Sequence, residues 1–249
     1  MNFILCLRSD FYKLKRQPLL WIHLFIPLAG ILFLLLSSAF SKQPAGSNAL
    51  ACPGAMTVAF PTLIGIVCSL AAEQEAEAGN YQSLLAAPVR LLPFLSLSAM
   101  LLLLGLSAAL LTAFGFEAGF ALILGQAPFG PDFYLRSVLL VFGCAVFLYF
   151  FHLFLSLRFN KGVSVGVGIL ESLASALLIT GLGDGKWILI PCAWGLRFLK
   201  AMSLSAPGDV LPAAYGIKEG TVSCIVETGL MIVFSLLWFS RWEGAKTEE

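Results

Sequence analysis

Charge is what this chain lacks. Lys, Arg, Asp and Glu together make up 12% of its 249 residues, against 59% hydrophobic residues. A soluble globule of this length cannot hide so large an apolar share behind so few charges, so the chain reads as an integral membrane protein. A formal net charge of +1 leaves no global basic field to draw nucleic acid. Histidine is scarce: His23 and His152 are the only two. Neither stands in an HExxH or other metal-ligand spacing, which argues against a zinc enzyme. No GxSxG elbow occurs. Gly181-Leu182-Gly183-Asp184-Gly185-Lys186-Trp187 has the glycine content of a nucleotide loop but not the GxxxxGK[ST] spacing. The six cysteines form no CxxC pair or Cys/His cluster, and most lie in apolar runs, where cysteine acts as a small hydrophobe. A disulfide among Cys52, Cys192 and Cys224 is the pairing left open, near the outer face. The residues therefore predict no covalent chemistry, no directly bound cofactor and no metal.

What is present is lipid-compatible sequence. Apolar runs of about 18 to 25 residues read as spans, and six occur, near 18–40, 52–72, 92–116, 134–156, 163–182 and 221–241. The first follows Lys13, Lys15 and Arg16 but is too long for a signal peptide's apolar region, so it reads as a retained anchor. The expectation is an all-α integral membrane protein, a single transmembrane domain over 1–249, with both termini in the cytoplasm. That orientation puts Arg8, Lys13, Lys15, Arg16, Arg90, Arg158, Lys161, Arg241 and Lys246 inside. Lys42, Arg136, Lys186, Arg197, Lys200 and Lys218 then lie outside, a bias of nine to six in the expected direction. Phe3, Leu5, Leu7, Phe11 and Leu14 mix with cations before the first span, the pattern of an amphipathic helix on the inner leaflet. The outer segment 183–220, with Trp187, Pro191, Trp194 and Arg197, predicts a re-entrant or interfacial element.

The one strongly polar stretch between spans is 73–88. Glu73, Glu75 and Glu77 keep it soluble, and helix formers dominate up to Ala78, where Gly79-Asn80 supplies a stop or kink. Tyr81, Leu84 and Leu85 then form an apolar face before Pro88. Two readings stand: a solvated loop, or a short helix along the membrane surface that docks a soluble partner. Ionisable groups inside the spans are the other singular feature. Glu171 lies near the middle of the fifth span and Glu227 in the outer part of the sixth, and charges at such depth cost a few kcal/mol on insertion scales. They line a path for a cationic cargo or serve as interhelical hydrogen-bonding groups. Gly162 with Gly166, and Ser164 with Gly168, give small-xxx-small spacing for close helix approach.

The residues Glu73-Gln74-Glu75-Ala76-Glu77-Ala78-Gly79-Asn80-Tyr81-Gln82-Ser83-Leu84-Leu85, followed by Pro88, resemble the E-x-E-x-x-x-G-N-[FY]-Q-x-L-L…P signature of ABC-2-type permeases. More narrowly, they resemble the lantibiotic (bacteriocin) immunity permeases. Thr180 to Trp187, continuing through Pro191, Trp194 and Arg197, resembles the outer segment before the last span in the same family. The resemblance implies a permease subunit of an ATP-driven exporter that expels antimicrobial peptides from a bacterial cell membrane. It implies two copies of a separate ABC ATPase holding ATP-Mg, and a second related permease. Glu73, Glu75, Glu77, Gly79, Tyr81, Leu84 and Leu85 would then form a cytoplasmic coupling helix docked on the ATPase. Glu171, Glu227, Trp187, Trp194 and Arg197 would border the substrate path. A permease for another drug or lipid, an ATP-independent proton-coupled carrier and a membrane sensor subunit remain the alternatives.

Overall fold

The computed structural model describes residues 2–15, 17–204 and 216–244. Arg16 and Lys246 of the charge tally, and residues 205–215 of the outer segment, lie outside those described. Every regular element among the described residues is helical: α1 Phe3–Leu14, α2 Pro18–Phe40, α3 Ala45–Glu77, α4 Gln82–Leu85, α5 Leu91–Leu122, α6 Pro131–Arg158, α7 Lys161–Leu178, α8 Pro191–Leu204 and α9 Ile217–Arg241. Two short 3₁₀ turns, Gly181–Gly183 and Trp187–Leu189, join α7 to α8. Six of these helices, α2, α3, α5, α6, α7 and α9, are long and apolar enough to cross a membrane, matching the six apolar runs. Local chemistry sets their starts. Pro18 and Pro131 open α2 and α6, where a missing N–H costs nothing. The Asn160 side chain accepts from the Val163 amide at 3.0 Å to cap α7.

The bundle has a centre and a rim. About half of the apolar windows of α3, α5 and α6 is buried, against 17%, 17% and 11% for α2, α7 and α9. The rim helices therefore present most of their apolar surface outward, as membrane spans do. Among the described residues the core falls into three clusters, one of them formed by Cys144, Trp187, Ala193 and Trp194. At the α1 end, Leu14, Leu19, Tyr81, Leu84, Phe94, Tyr149, Phe239 and Trp242 pack together. At the opposite end Ala49, Cys52, Met56, Phe116, Phe120 and Tyr134 do so. All six cysteines are free thiols, so no disulfide joins Cys52, Cys192 and Cys224; each serves its own helix interface.

The closest helix contact is α3 on α7. A Cβ on Gly168 would stand 2.6 Å from the Pro61 carbonyl oxygen, and one on Gly65 would stand 2.8 Å from that of Ser164. Of the two small-residue faces of α7, Ser164 and Gly168 make this seam, while a Cβ on Gly166 would meet nothing within 4 Å. Once the backbones touch, polar groups can bridge them. Thr62 Oγ1 donates to the Gly168 carbonyl at 3.1 Å, and its amide donates to Ser172 Oγ at 3.2 Å.

The outer segment is not a free surface helix. α8 packs into the bundle: Trp194 is fully buried against Phe147, with ring centroids 5.8 Å apart. Phe147 lies about 24 Å along α6 at 1.5 Å per residue, so α8 dips well into the bundle, in the manner of a re-entrant element.

Gly168→Leu should separate α3 from α7 and lower stability by about 1–3 kcal/mol. Gly166→Leu, two residues away on the opposite face and facing open space, should stay within about 0.5 kcal/mol. Equilibrium unfolding of both variants in mixed micelles checks this.

Candidate functional site

α3 is 33 residues long, about 50 Å at 1.5 Å per residue, whereas a hydrocarbon core is about 30 Å thick. Its last turns therefore project beyond the spans. This is where the polar stretch departs from the expectation of one short surface helix. Glu73, Glu75 and Glu77 continue α3, because nothing before Ala78 interrupts helix formers. The chain then turns through three successive residues of positive φ: Gly79 at 143°, Asn80 at 50° and Tyr81 at 64°. Glycine alone tolerates the first, and asparagine is among the few side chains that visit the second readily. Tyr81 has no such excuse, and its left-handed backbone is held by packing. Its ring is buried and meets Trp242 edge-on, with centroids 5.0 Å apart. Orphan carbonyls at the helix end are satisfied locally: that of Ala76 accepts from the Asn80 amide at 2.7 Å and that of Glu75 from the Tyr81 amide at 3.0 Å. A single helical turn, α4, follows and buries Leu84.

The three glutamates have different fates. Glu73 pairs with Lys161 at the start of α7, 2.9 Å away and half-exposed. Glu77 is exposed. Glu75 is turned inward, with only 2% of its side chain accessible, and accepts from Lys13 Nζ at 2.6 Å. The Ser83 hydroxyl donates to its other oxygen. Lys13 also lies 3.5 Å from Asp10, whose second oxygen accepts from the buried Ser96 hydroxyl of α5. Four elements thus meet in one polar knot: α1, the end of α3, the turn into α4, and α5. Burial pushes the Asp10 carboxyl above its ordinary 3.8, against the Ser96 hydrogen bond and the Lys13 charge that pull it down; Glu75 adds to the rise. Of the docking residues expected from sequence, Glu75, Tyr81 and Leu84 face inward, Leu85 is half-buried, and Glu77 and Gly79 are exposed together with Asn80 and Gln82.

Glu171 and Glu227 sit at membrane depth in unlike surroundings. His152, fully buried, is hydrogen-bonded through Nε2 to Glu171 Oε2 at 2.8 Å, and its Nδ1 meets Ser164 Oγ at 3.1 Å. Glu227 has a partner on its own helix, the Ser223 hydroxyl at 2.6 Å. The structure does not bring these two carboxylates into one cluster with Trp187, Trp194 and Arg197. Trp187 and Trp194 share an apolar cluster instead, and Arg197 clamps the chain that follows α7. The Arg197 guanidinium donates to the Leu178 and Thr180 carbonyls at 2.8 and 2.7 Å, and to Asp184 at 2.8 Å. It thereby satisfies the Leu178 carbonyl at the end of α7 and adds a second donor to that of Thr180, which also accepts from the Gly183 amide at 3.0 Å. Gly183 leaves no room for a Cβ beside Leu178 and Arg197, and Gly220 of α9 leaves none beside the Trp187 ring. Trp194 donates from Nε1 to the Ile188 carbonyl at 2.8 Å.

Sequence reasoning missed Asp10, Lys13, Ser83 and Ser96. Lys13 and Glu75 are 62 positions apart and Asp10 and Ser96 are 86 apart, so no local pattern links them. The one available signal was Asp10 and Lys13 standing one turn apart on an amphipathic helix.

Residues 6–175 match the model of a family described as "ABC-2 family transporter protein". No curated protein and no solved structure matches the chain.

Lys13→Ala strands a buried carboxylate and should cost about 3–5 kcal/mol, whereas Lys15→Ala, whose ammonium rests on the exposed Tyr12 ring, should cost under about 0.5 kcal/mol. Unfolding in mixed micelles separates the two. The raised Asp10 carboxyl also sets a pH dependence. The folded chain keeps this proton where the unfolded chain has lost it, so its contribution is full below pH 3.8 and is lost as pH rises through the folded value. Asp10→Asn should remove that falling component from a melting-temperature profile run upward from about pH 4.

Proposed function

We propose a specific task for a chain that, matched over more than half its length, belongs to the ABC-2 transporter family. Such a chain is a multi-pass membrane permease, a transport component whose family generally works with an ABC ATPase. In our reading the exposed turn Glu77–Gln82 is the surface on which that ATPase docks, from the cytoplasmic side of a bacterial plasma membrane, with both termini on that side. The observation that carries this reading is the polar knot behind the turn. A partner pressing on Glu77, Gly79, Asn80 and Gln82 would push on residues joined through Glu75 to Lys13 and through Tyr81 to Trp242. Force there reaches α1, α3, α5 and α9 without a loose joint. Glu75, Tyr81, Leu84 and Leu85 serve the docking by holding the turn in shape, and Glu73 by tying it to α7.

The assembly we infer has two ATPase copies, each holding ATP-Mg, and a second related permease beside this one. The cargo we assign is a lantibiotic or similar amphipathic antimicrobial peptide, expelled from the membrane to confer immunity. The resemblance of 73–88 and 180–197 to lantibiotic-immunity permeases supports that cargo. Glu171 and Glu227 are the carboxylates we place along its path, with Trp187, Trp194 and Arg197 bracing the outer wall through their packing. Export of another drug or a lipid uses the same machinery, and susceptibility of a deletion strain to a peptide panel distinguishes the cargoes. A proton-coupled carrier is the second reading, favoured by the buried His152–Glu171 pair.

Co-purification in mild detergent decides between them. The native chain should retain its ATPase, and Glu77→Lys/Gln82→Asp, altering exposed groups alone, should lose it while remaining monodisperse. Retention by the double variant would remove the turn from the interface. A native chain that purifies alone and moves cargo on an imposed pH gradient would replace the ATP-driven reading with the carrier.

A further inference from the structure

The bundle also holds an apolar groove that the coupling turn does not use. It lies between α2, α3 and α5, walled by Ile26, Gly30, Phe33, Met56, Phe60 and Ala108. Along α2 it reaches from Ile22 to Leu34, about 18 Å at 1.5 Å per residue. Two of its polar side chains, His23 and Tyr149, lie at one end, while the Thr112 hydroxyl farther along is turned to the Ala108 carbonyl at 2.8 Å. The Tyr149 side chain is 6% exposed and lines the groove, and its hydroxyl has no hydrogen-bond partner among the described residues. That hydroxyl lies against Gly105, which leaves no room for a Cβ. Ile31 faces Gly115 and Leu35 faces Gly119, so α2 and α5 run parallel. The same register puts Gly105, and with it the Tyr149 hydroxyl, level with the first turns of α2, where His23 also lines the groove.

Towards α1, and again walled by α3, is a second hollow lined by Tyr12, Lys13, Lys15, Gln17, Gln74 and Glu77. Lys13 is engaged by Asp10 and Glu75. Lys15, over the Tyr12 ring at 4.6 Å, is the cation there with no acidic partner among the described residues. The order along this seam is therefore a cation at the membrane surface, a lone donor just inside, and a long apolar channel beyond.

We propose that the seam binds one anionic glycerophospholipid from the leaflet on the α1 side. Its phosphate meets Lys15, an ester carbonyl accepts from the Tyr149 hydroxyl, and one acyl chain lies along the groove. A peptide is excluded as occupant of the channel, because its backbone would bring many polar groups to a single donor. An acyl chain brings none. Glu77 shares the outer hollow, so the preference for an anionic head is moderate.

Photolabelling of the full-length chain in phosphatidylcholine nanodiscs tests this. The probes are phospholipids with a diazirine in one acyl chain: ester-linked phosphatidylglycerol, ester-linked phosphatidylcholine and ether-linked phosphatidylglycerol. Label should concentrate at Met56 and Phe60, with phosphatidylglycerol favoured about fivefold over phosphatidylcholine and ester over ether by about fivefold. Lys15→Glu should erase the first preference, and Tyr149→Phe the second alone. Ala108→Trp should abolish groove labelling. If that variant does not fold, Gly30→Trp, at a position where a Cβ meets nothing within 4 Å, fills the same space. Labelling as strong on the outer face of α9 at Leu230 as in the groove overturns the proposal. So does labelling that survives a filled groove, or indifference to the headgroup.

Discussion

The contact between Lys13 and Glu75 is the constraint on which the α1 end of the bundle depends. A buried carboxylate is costly unless its charge is met and its oxygens are hydrogen-bonded. Both conditions are fulfilled here by residues from elsewhere, Lys13 on one oxygen and the Ser83 hydroxyl on the other. The pair therefore dictates where α1 lies, how far α3 runs before turning, and where α4 folds back. It also explains how the chain sustains Tyr81 in a left-handed conformation, which costs of the order of 1–3 kcal/mol unless its surroundings over-determine it. With Glu75 held from one side and Trp242 packed on the other, the turn has little freedom to relax. A surface so braced transmits force.

The same rule governs the polar groups at membrane depth. Where no water is present an unpaired polar group is costly, and several of these groups find their partners on neighbouring helices. His152 spans from α6 to Glu171 and Ser164 of α7, and Thr62 of α3 reaches Gly168 and Ser172. Glycine makes these bridges reachable by removing the Cβ that would hold the backbones apart. The Arg197 clamp is the same solution at a helix end. Three of its N–H groups go to the Leu178 and Thr180 carbonyls and to the Asp184 carboxylate, which is why an arginine can be buried in so apolar a chain. Glu227 differs in relying on Ser223 of its own helix, and so remains oriented by its helix rather than by the bundle.

Much of this was readable along the chain. The apolar run beginning at Pro18 and ending at Phe40 coincides with α2, because the length of an apolar stretch and a proline at the first turn are local properties. The stop at Gly79-Asn80 was readable for the same reason, since only a few side chains accept the backbone that ends α3 there. The family was readable too, because its short motif is contiguous. Motif residues did not, however, announce which way they face. Glu73, Glu75 and Glu77 are chemically alike and two positions apart, yet one binds Lys161, one is buried on Lys13 and one meets solvent.

The sequence by itself determined the membrane class, the number of spans and the place of the polar turn. Each depends on composition within a window of about 20 residues, the thickness of a bilayer. Only the tertiary structure decided that Glu75 is an internal brace and that Trp194 and Arg197 pack inward. It alone placed the two faces of α7, with Gly168 against α3 and Gly166 open. Those outcomes depend on partners such as Lys13, Phe147, Leu178 and Pro61, which reach their positions only when distant helices pack. Hydrophobic length is a local quantity, but the pairing of buried polar groups is not.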